Sequence, residues 1–112
     1  MPRFVILMRE DDDAWSRLPE TERDRLLELY GAWVGELREK GAFVSGAPLG
    51  AGGRILRHHD GDFREAVYAE TTQVETGWFV IEAANIDAAA RLARGCPALL
   101  HGETVVVRPV GH

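Results

Sequence analysis

Apolar runs and amphipathic segments follow one another in the same order in two stretches of this chain. The run Phe4-Val5-Ile6-Leu7-Met8 has the length and composition of a strand. A long amphipathic segment follows, in which Leu26, Tyr30, Trp33, Val34 and Leu37 recur at i, i+4, i+7, i+8 and i+11 and so share one stripe of a helix. Pro19 suits the first turn of that helix and Glu20 and Glu22 its positive end, while Arg38, Lys40 and Gly41 mark its close. The strand AFVSGAPL completes the first β-α-β unit. The order then returns. Trp78-Phe79-Val80-Ile81 leads to a helix with Asn85 as N-cap and Asp87 in the first turn. Its apolar side carries Ile86, Ala89, Ala90 and Ala93, and it stops at Gly95 and Pro97 before Val105-Val106-Val107. Two such halves predict a compact α+β sandwich, one sheet with both helices on one face. The alanines predict close approach of the second helix to the sheet, with little room between them.

A sheet with one solvated face should alternate apolar and polar residues. These strands do not, because Phe4 to Met8, Trp78 to Ile81 and Val105 to Val107 are apolar at consecutive positions. The face without helices therefore needs a cover, and a second copy packed sheet on sheet with C2 symmetry supplies one, so a homodimer is expected.

Between the halves lies a Gly-rich middle. Arg54 to His59 and Arg64 to Ala69 read as short strands around Asp60-Gly61, a strong hairpin turn. Gly50, Gly52 and Gly53 precede a strand in neither a GxGxxG nor a Walker pattern, so a flexible loop is a plainer reading than a phosphate cradle.

With 112 residues the chain is expected to form a single domain, residues 1–112, and 46% hydrophobic with 28% charged residues is ordinary for a globular fold. Thirteen basic against eighteen acidic side chains give a net charge of −5, which argues against nucleic acid or an anionic membrane as partner. The lone Cys96 excludes an internal disulfide framework, and Met1-Pro2 runs straight into a strand, so a cytoplasmic location is the expectation. No apolar run approaches the roughly 20 residues needed to span a bilayer.

Several segments in order carry a family resemblance: LYGAWVGELREKGAFVSGAPL, YAETTQVETGWFVIEA and ARLARGCPALLHGETVVVRPV. Together they resemble the YCII-related family, especially its branch with a DGPF motif, over nearly the whole chain. The resemblance implies a ferredoxin-like β-α-β-β-α-β sandwich with an extra short hairpin, dimerising face to face as a dimeric α+β barrel. It also implies small-molecule lyase or dehydrochlorinase chemistry in a few members, and no known activity in many. The chain departs from the pattern. Glu65-Ala66-Val67-Tyr68 stands where the branch has Asp-Gly-Pro-Phe, so Glu65 alone keeps a carboxylate. The family's acid–base pair sets a His of the first helix against an Asp, but with the helix aligned on Gly41 the His position is Tyr30. Phenol, with a pKa near 10, is a weaker base at neutral pH than imidazole, so that pair is not carried over.

Candidate chemistry therefore falls on Tyr30, His58, Asp60 and Glu65. His58 and Asp60 share a strand face if the strand persists, and a carboxylate there would orient the imidazole as a general base; the rival reading is a polar hairpin end in water. Glu65 reads equally as a surface charge paired with Arg54 or Arg57. Tyr30, if buried, needs a partner for its hydroxyl and is the aromatic chosen for a cleft. The acidic run Glu10 to Asp13 reads as a solvated loop or a cleft rim. His101 and His112 lie in or after loops and receive no assignment. Cys96, at a helix C-terminus, is a poor nucleophile. The adjacent His58 and His59 point to opposite faces, so no metal or other cofactor is expected. Two classes of function remain: a lyase or isomerase that moves a proton on a small organic molecule, and a non-catalytic dimeric binding or regulatory module.

Overall fold

The computed structural model describes residues 1–11, 14–50, 52–68 and 73–111. Its elements are β1 (Arg3–Asp11), a single helical turn α1 (Ala14–Arg17), α2 (Glu20–Glu39), β2 (Phe43–Pro48), β3 (Arg54–His59), β4 (Asp62–Val67), β5 (Gln73–Glu82), α3 (Ile86–Ala93), a 3₁₀ turn (Pro97–His101) and β6 (Thr104–Pro109). Four strands form one antiparallel sheet in the order β2-β5-β1-β6, and β3 and β4 form a separate two-stranded ribbon. The arrangement is α+β and compatible with the ferredoxin-like expectation. α1 and the 3₁₀ turn are additions that the hydrophobic pattern did not announce, being too short to show a period. Among the described residues no helix is long and apolar enough to cross a membrane.

β1 is paired along both edges, with β5 and with β6. Its alternate residues Phe4, Ile6 and Met8 turn inward and are buried. There they meet Trp33 and Leu37 of α2, Ile81 of β5 and Ala89 and Ala93 of α3 in one core. The helical stripe of α2 behaves as its spacing predicts: Leu26, Trp33 and Leu37 are buried, and Tyr30 and Val34 pack partly buried against the core. Trp33 sets its ring edge-on to Phe79 at 5.1 Å and gives its indole N–H to the Leu92 carbonyl at 3.3 Å, which ties α2 to both β5 and α3. Asn85 caps α3 by accepting from the Ala88 amide at 2.8 Å. Two sequence readings shift here. Pro19 occupies the N-cap position in extended backbone rather than the first turn, and Ile86 at the start of α3 is exposed.

The outward row of the sheet is apolar too. Val5, Leu7, Trp78, Val80 and Val106 alternate with the inward residues, and the register sets Val5 beside Val80, and Leu7 between Trp78 and Val106. Arg3 with Glu82 and Arg9 with Glu75 form ion pairs across β1 and β5.

The hairpin turns at Asp60-Gly61 with positive φ at both residues, 50° and 82°, the geometry that matches strand twist in a two-residue loop. Its second strand begins at Asp62, two residues earlier than the sequence suggests. One face of this ribbon presents Leu56, Phe63 and Val67 to solvent, with Phe63 82% exposed.

Two glycines test the packing in opposite directions. A Cβ at Gly46 in β2 would overlap the Phe79 ring, whereas one at Gly31 on the outer side of α2 would meet nothing within 4 Å. Gly46→Ala is expected to lower unfolding stability by about 1–3 kcal/mol through overpacking. Gly31→Ala should raise it by roughly 0.5–1 kcal/mol through helix propensity. Urea unfolding of the two variants beside the parent checks both signs.

Candidate functional site

At one end of the sandwich the inward row of β1 finishes on a charge. Glu10 continues the Phe4, Ile6, Met8 alternation, so its carboxylate enters the sandwich and is only 5% exposed. Its Oε2 accepts the Trp15 amide at 3.0 Å, which fixes α1 over the end of the strand. The pairing of β1 with β5 matches Met8 to Gly77 and Arg9 to Glu75, skipping Thr76. An extra residue of this kind re-aims its side chain. The Thr76 hydroxyl accordingly donates to the Glu103 carboxylate.

Glu103 comes from the other edge of β1, where Thr104 opens β6 opposite Arg9. Gly102, at φ 84°, closes the 3₁₀ turn in left-handed backbone that suits glycine. That bend turns His101 back on Glu103, with Nε2 2.9 Å from Oε2 and the two side chains only 6% and 3% exposed. Neither imidazole nitrogen completes a well-aligned hydrogen bond among the described residues. Trp15 leans on the imidazole with ring centroids 5.7 Å apart.

These groups meet at a cavity of about 460 Å³. Met8, Trp15, Leu27, Tyr30 and Phe79 form most of its apolar wall, the segment Gly46 to Gly50 another side, and Glu10, Ser16, Glu75, Thr76 and Glu103 its polar positions. Its volume lies within the usual range for small-molecule sites, ~300–1,000 Å³. Tyr68, at the root of the hairpin, hydrogen-bonds Glu75 with its hydroxyl and accepts the Glu75 amide at 3.1 Å. A second hollow, between α2 and α3, is lined by Trp33, Ala88, Leu92 and surface charges. It gathers no comparable set of buried polar groups.

Burial decides the electrostatics. It raises the Glu103 carboxyl above the usual carboxylate range, with the Thr76 hydrogen bond opposing, and it lowers the His101 imidazole below its ordinary value, although nearby Glu10 and Glu22 pull the other way. Both shifts run against the charged form, as burial dictates. Tyr30 is raised well beyond the ordinary phenol value by burial first and then by Cys96, Glu103 and Glu10, so its hydroxyl stays a hydrogen-bond donor. Burial also lifts the Cys96 thiol to about 11, which leaves it inert as a nucleophile at neutral pH.

Of the four residues singled out from the sequence, Tyr30 alone lines the cavity. His58, Asp60 and Glu65 sit on the exposed hairpin. Asp60 lies 3.1 Å from His59 rather than beside His58, because the strand ends before it and Asp60 takes a positive φ in the turn. His58 packs instead against Phe63 at 4.9 Å, and Glu65 pairs with Arg54 at 3.4 Å. Glu10 is not a solvated loop residue. Asp12 and Asp13 of the same run, and His112, fall outside the described residues. His101 and Glu103 were missed. Their signal is the spacing His-Gly-Glu, an imidazole and a carboxylate two residues apart across a turn-forming glycine. Among the described residues no three His, Cys, Asp or Glu side chains converge as a metal-binding set.

The fold and this cavity define a small α+β domain with a buried acid–base pair against an apolar hollow. A family description places it further: the YCII-related domain matches residues 2–110, and the chain belongs to that family. No curated protein matches it.

The two shifted groups give opposite pH dependences. Glu103, raised in the folded state, contributes stability that is full below the usual 4.5 and is lost as pH rises through its folded value. His101, lowered, contributes stability present above the usual 6.5 and lost as pH falls through its folded value. In Glu103→Gln the loss on the alkaline side of 4.5 should vanish while the acid-side loss below 6.5 remains. Denaturant unfolding over about pH 4 to about pH 8 measures this, and an unchanged profile would contradict the burial assignment.

Proposed function

We propose that the cavity is an acid–base site for a small, largely apolar organic molecule, with lyase or isomerase chemistry carried by the chain's own side chains. The observation that carries this reading is Glu103: a carboxyl buried beside a His, raised by that burial above the usual carboxylate range, and in the wall of an apolar hollow. When ionised, such a group is a stronger base than an exposed carboxylate. As carboxylate, Glu103 takes a proton from the substrate. The released electron pair stays on the substrate as an enolate or expels a leaving group, and the proton returns to substrate or passes to solvent. His101, behind Glu103 and not in the cavity wall, positions it and exchanges its proton. Thr76 holds the other carboxylate oxygen. Tyr30 donates a hydrogen bond to the developing oxyanion from the cleft position the sequence suggested for it.

A dimer belongs to the same proposal. The outward sheet row of Val5, Leu7, Trp78, Val80 and Val106 and the exposed Leu56 and Phe63 of the hairpin are surfaces that a second copy would cover. The radius of gyration, 15.8 Å, exceeds the roughly 13 Å of a compact chain this long, consistent with a ribbon standing off the body as an arm. Pairing by the sheet face would bury roughly 1,200–2,000 Å² in total. A second functional reading, a ligand-binding module without turnover, is favoured by Tyr30 at the family's His position.

Two outcomes are expected. Incubation in D₂O with a panel of cyclic ketones and enols, followed by proton NMR, should reveal exchange or conversion that falls roughly 10²–10⁴-fold in Glu103→Gln and less in Tyr30→Phe. His58→Ala should leave it unchanged; loss in His58→Ala with full activity in Glu103→Gln would return the base to the hairpin, and binding without exchange would favour the module. Sedimentation at micromolar concentration should show a dimer, and Trp78→Glu a monomer, since a buried unpaired charge is costly; a monomeric parent protein rejects the assembly.

A further inference from the structure

We infer that the hairpin of a second copy closes the cavity, so that Leu56 and Phe63 of one chain complete the apolar wall of the other chain's site. This rests on the cavity and the dimer proposed above and goes beyond them in sharing each site between two chains. Two surfaces are left uncovered. The register of the ribbon sets Val67 opposite Arg54, Leu56 opposite Glu65 and Phe63 opposite His58, all on one face. Leu56 is 67% exposed and Phe63 82%, and the two charges among these residues, Arg54 and Glu65, neutralise each other at 3.4 Å. A two-stranded ribbon is marginal in water without a body to pack on, and a contiguous exposed apolar patch marks a contact surface. The other surface is the mouth of the cavity, where the lining residues Leu27 and Leu49 stand half exposed to water.

The ribbon does not cover its own mouth. Its strands touch chiefly one another, and its root is pinned. The Tyr68 amide donates to the Gly53 carbonyl at 3.2 Å, and the Tyr68 hydroxyl bonds the Glu75 carboxylate and accepts the Glu75 amide at 3.1 Å. Swinging the arm back onto its own cavity would break that anchor, so the mouth it reaches belongs to another chain. Area selects which chain. Two strands of six residues cover roughly 20 Å by 10 Å, so two reciprocal arms and the surfaces they meet bury on the order of 800 Å². A stable pair needs ~1,200 Å² or more. The arms are too small to hold an unrelated partner, but they add to the sheet-face contact, which presents the second copy's mouth at high effective concentration. Charge assists. On the ribbon's other face Arg57 and Arg64 stand directly opposite each other, and beside Leu27 on α2 the exposed Asp24 and Glu28 are four residues apart; none of the four has a charged partner among the described residues. Like charges so placed repel within each pair. The opposite surpluses steer the arm of one copy toward the mouth of the other.

Disulfide trapping between singly substituted chains reads the contact. Chains with Leu27→Cys are mixed with chains with Phe63→Cys, allowed to exchange subunits and oxidised, and the mixed product is identified by intact mass. Cys96 is buried and stays out of the reaction. The expected result is a link between the two chains that forms about tenfold or more faster than one to His59→Cys, which lies next to Phe63 along the ribbon but on its opposite face. Leu49→Cys with Leu56→Cys repeats the test if the first pair does not fold. Rates equal to the His59→Cys control, in a protein that sediments as a dimer, overturn the arm placement and leave the dimer standing. A chain carrying both Leu27→Cys and Phe63→Cys that closes the link within itself in excess parent protein overturns it too, because the arm then covers its own mouth. A monomeric parent protein rejects arm and dimer together.

Discussion

β1 has a bonded neighbour on each edge, and its alternation is therefore imposed on the whole sandwich. A one-residue slip would carry Phe4, Ile6 and Met8 to the outer face and break the core shared with α2 and α3. The same constraint brings Glu10 inside, since it stands in phase with those residues. Much of the site follows from accommodating that end of the row: the skipped Thr76 in β5, the α1 turn over Glu10, and the His101–Glu103 pair at the other edge of the strand.

The site and the core are thus one structure with a change of solvent partway along it. Toward Phe4 the space between sheet and helices is filled by alanines of α3 and the edge of Trp33. Toward Glu10 it is left open and edged with carboxylates. Electrostatics and packing are coupled there, because the walls that exclude water from Glu103 are the same aromatic and aliphatic groups that make the hollow apolar. Moving a wall residue would alter the proton affinity of the pair as well as the shape of the space.

What the sequence disclosed was whatever is periodic and local. The α2 stripe, the Asn85 cap, the Asp60-Gly61 turn and the two-faced strands each depend on neighbours within a few residues, and each appears where the pattern puts it. The site depends on closure. Glu10 reaches Trp15 over a turn too short to show a period, and Thr76 reaches Glu103 only because β5 and β6 flank the same strand. The pairing of His58 with Asp60 failed for a local reason, a strand assumed to continue through residue 60 where the backbone had already turned. His101 and Glu103 were within reach, since only Gly102 separates them.

The wall made by Gly46, Ala47 and Gly50 gives the hollow an energetic meaning. Small residues stand where larger ones would fill the space, and Phe79 occupies the position a Gly46 side chain would need. An unfilled cavity forfeits dispersion contacts that a close-packed interior would have, so this end of the molecule is held below the stability its fold could reach. Variants selected for thermal tolerance alone would be drawn to enlarge Ala47 or Gly50 and close the hollow, gaining melting temperature as the site disappears. Stability and binding capacity here compete for the same volume.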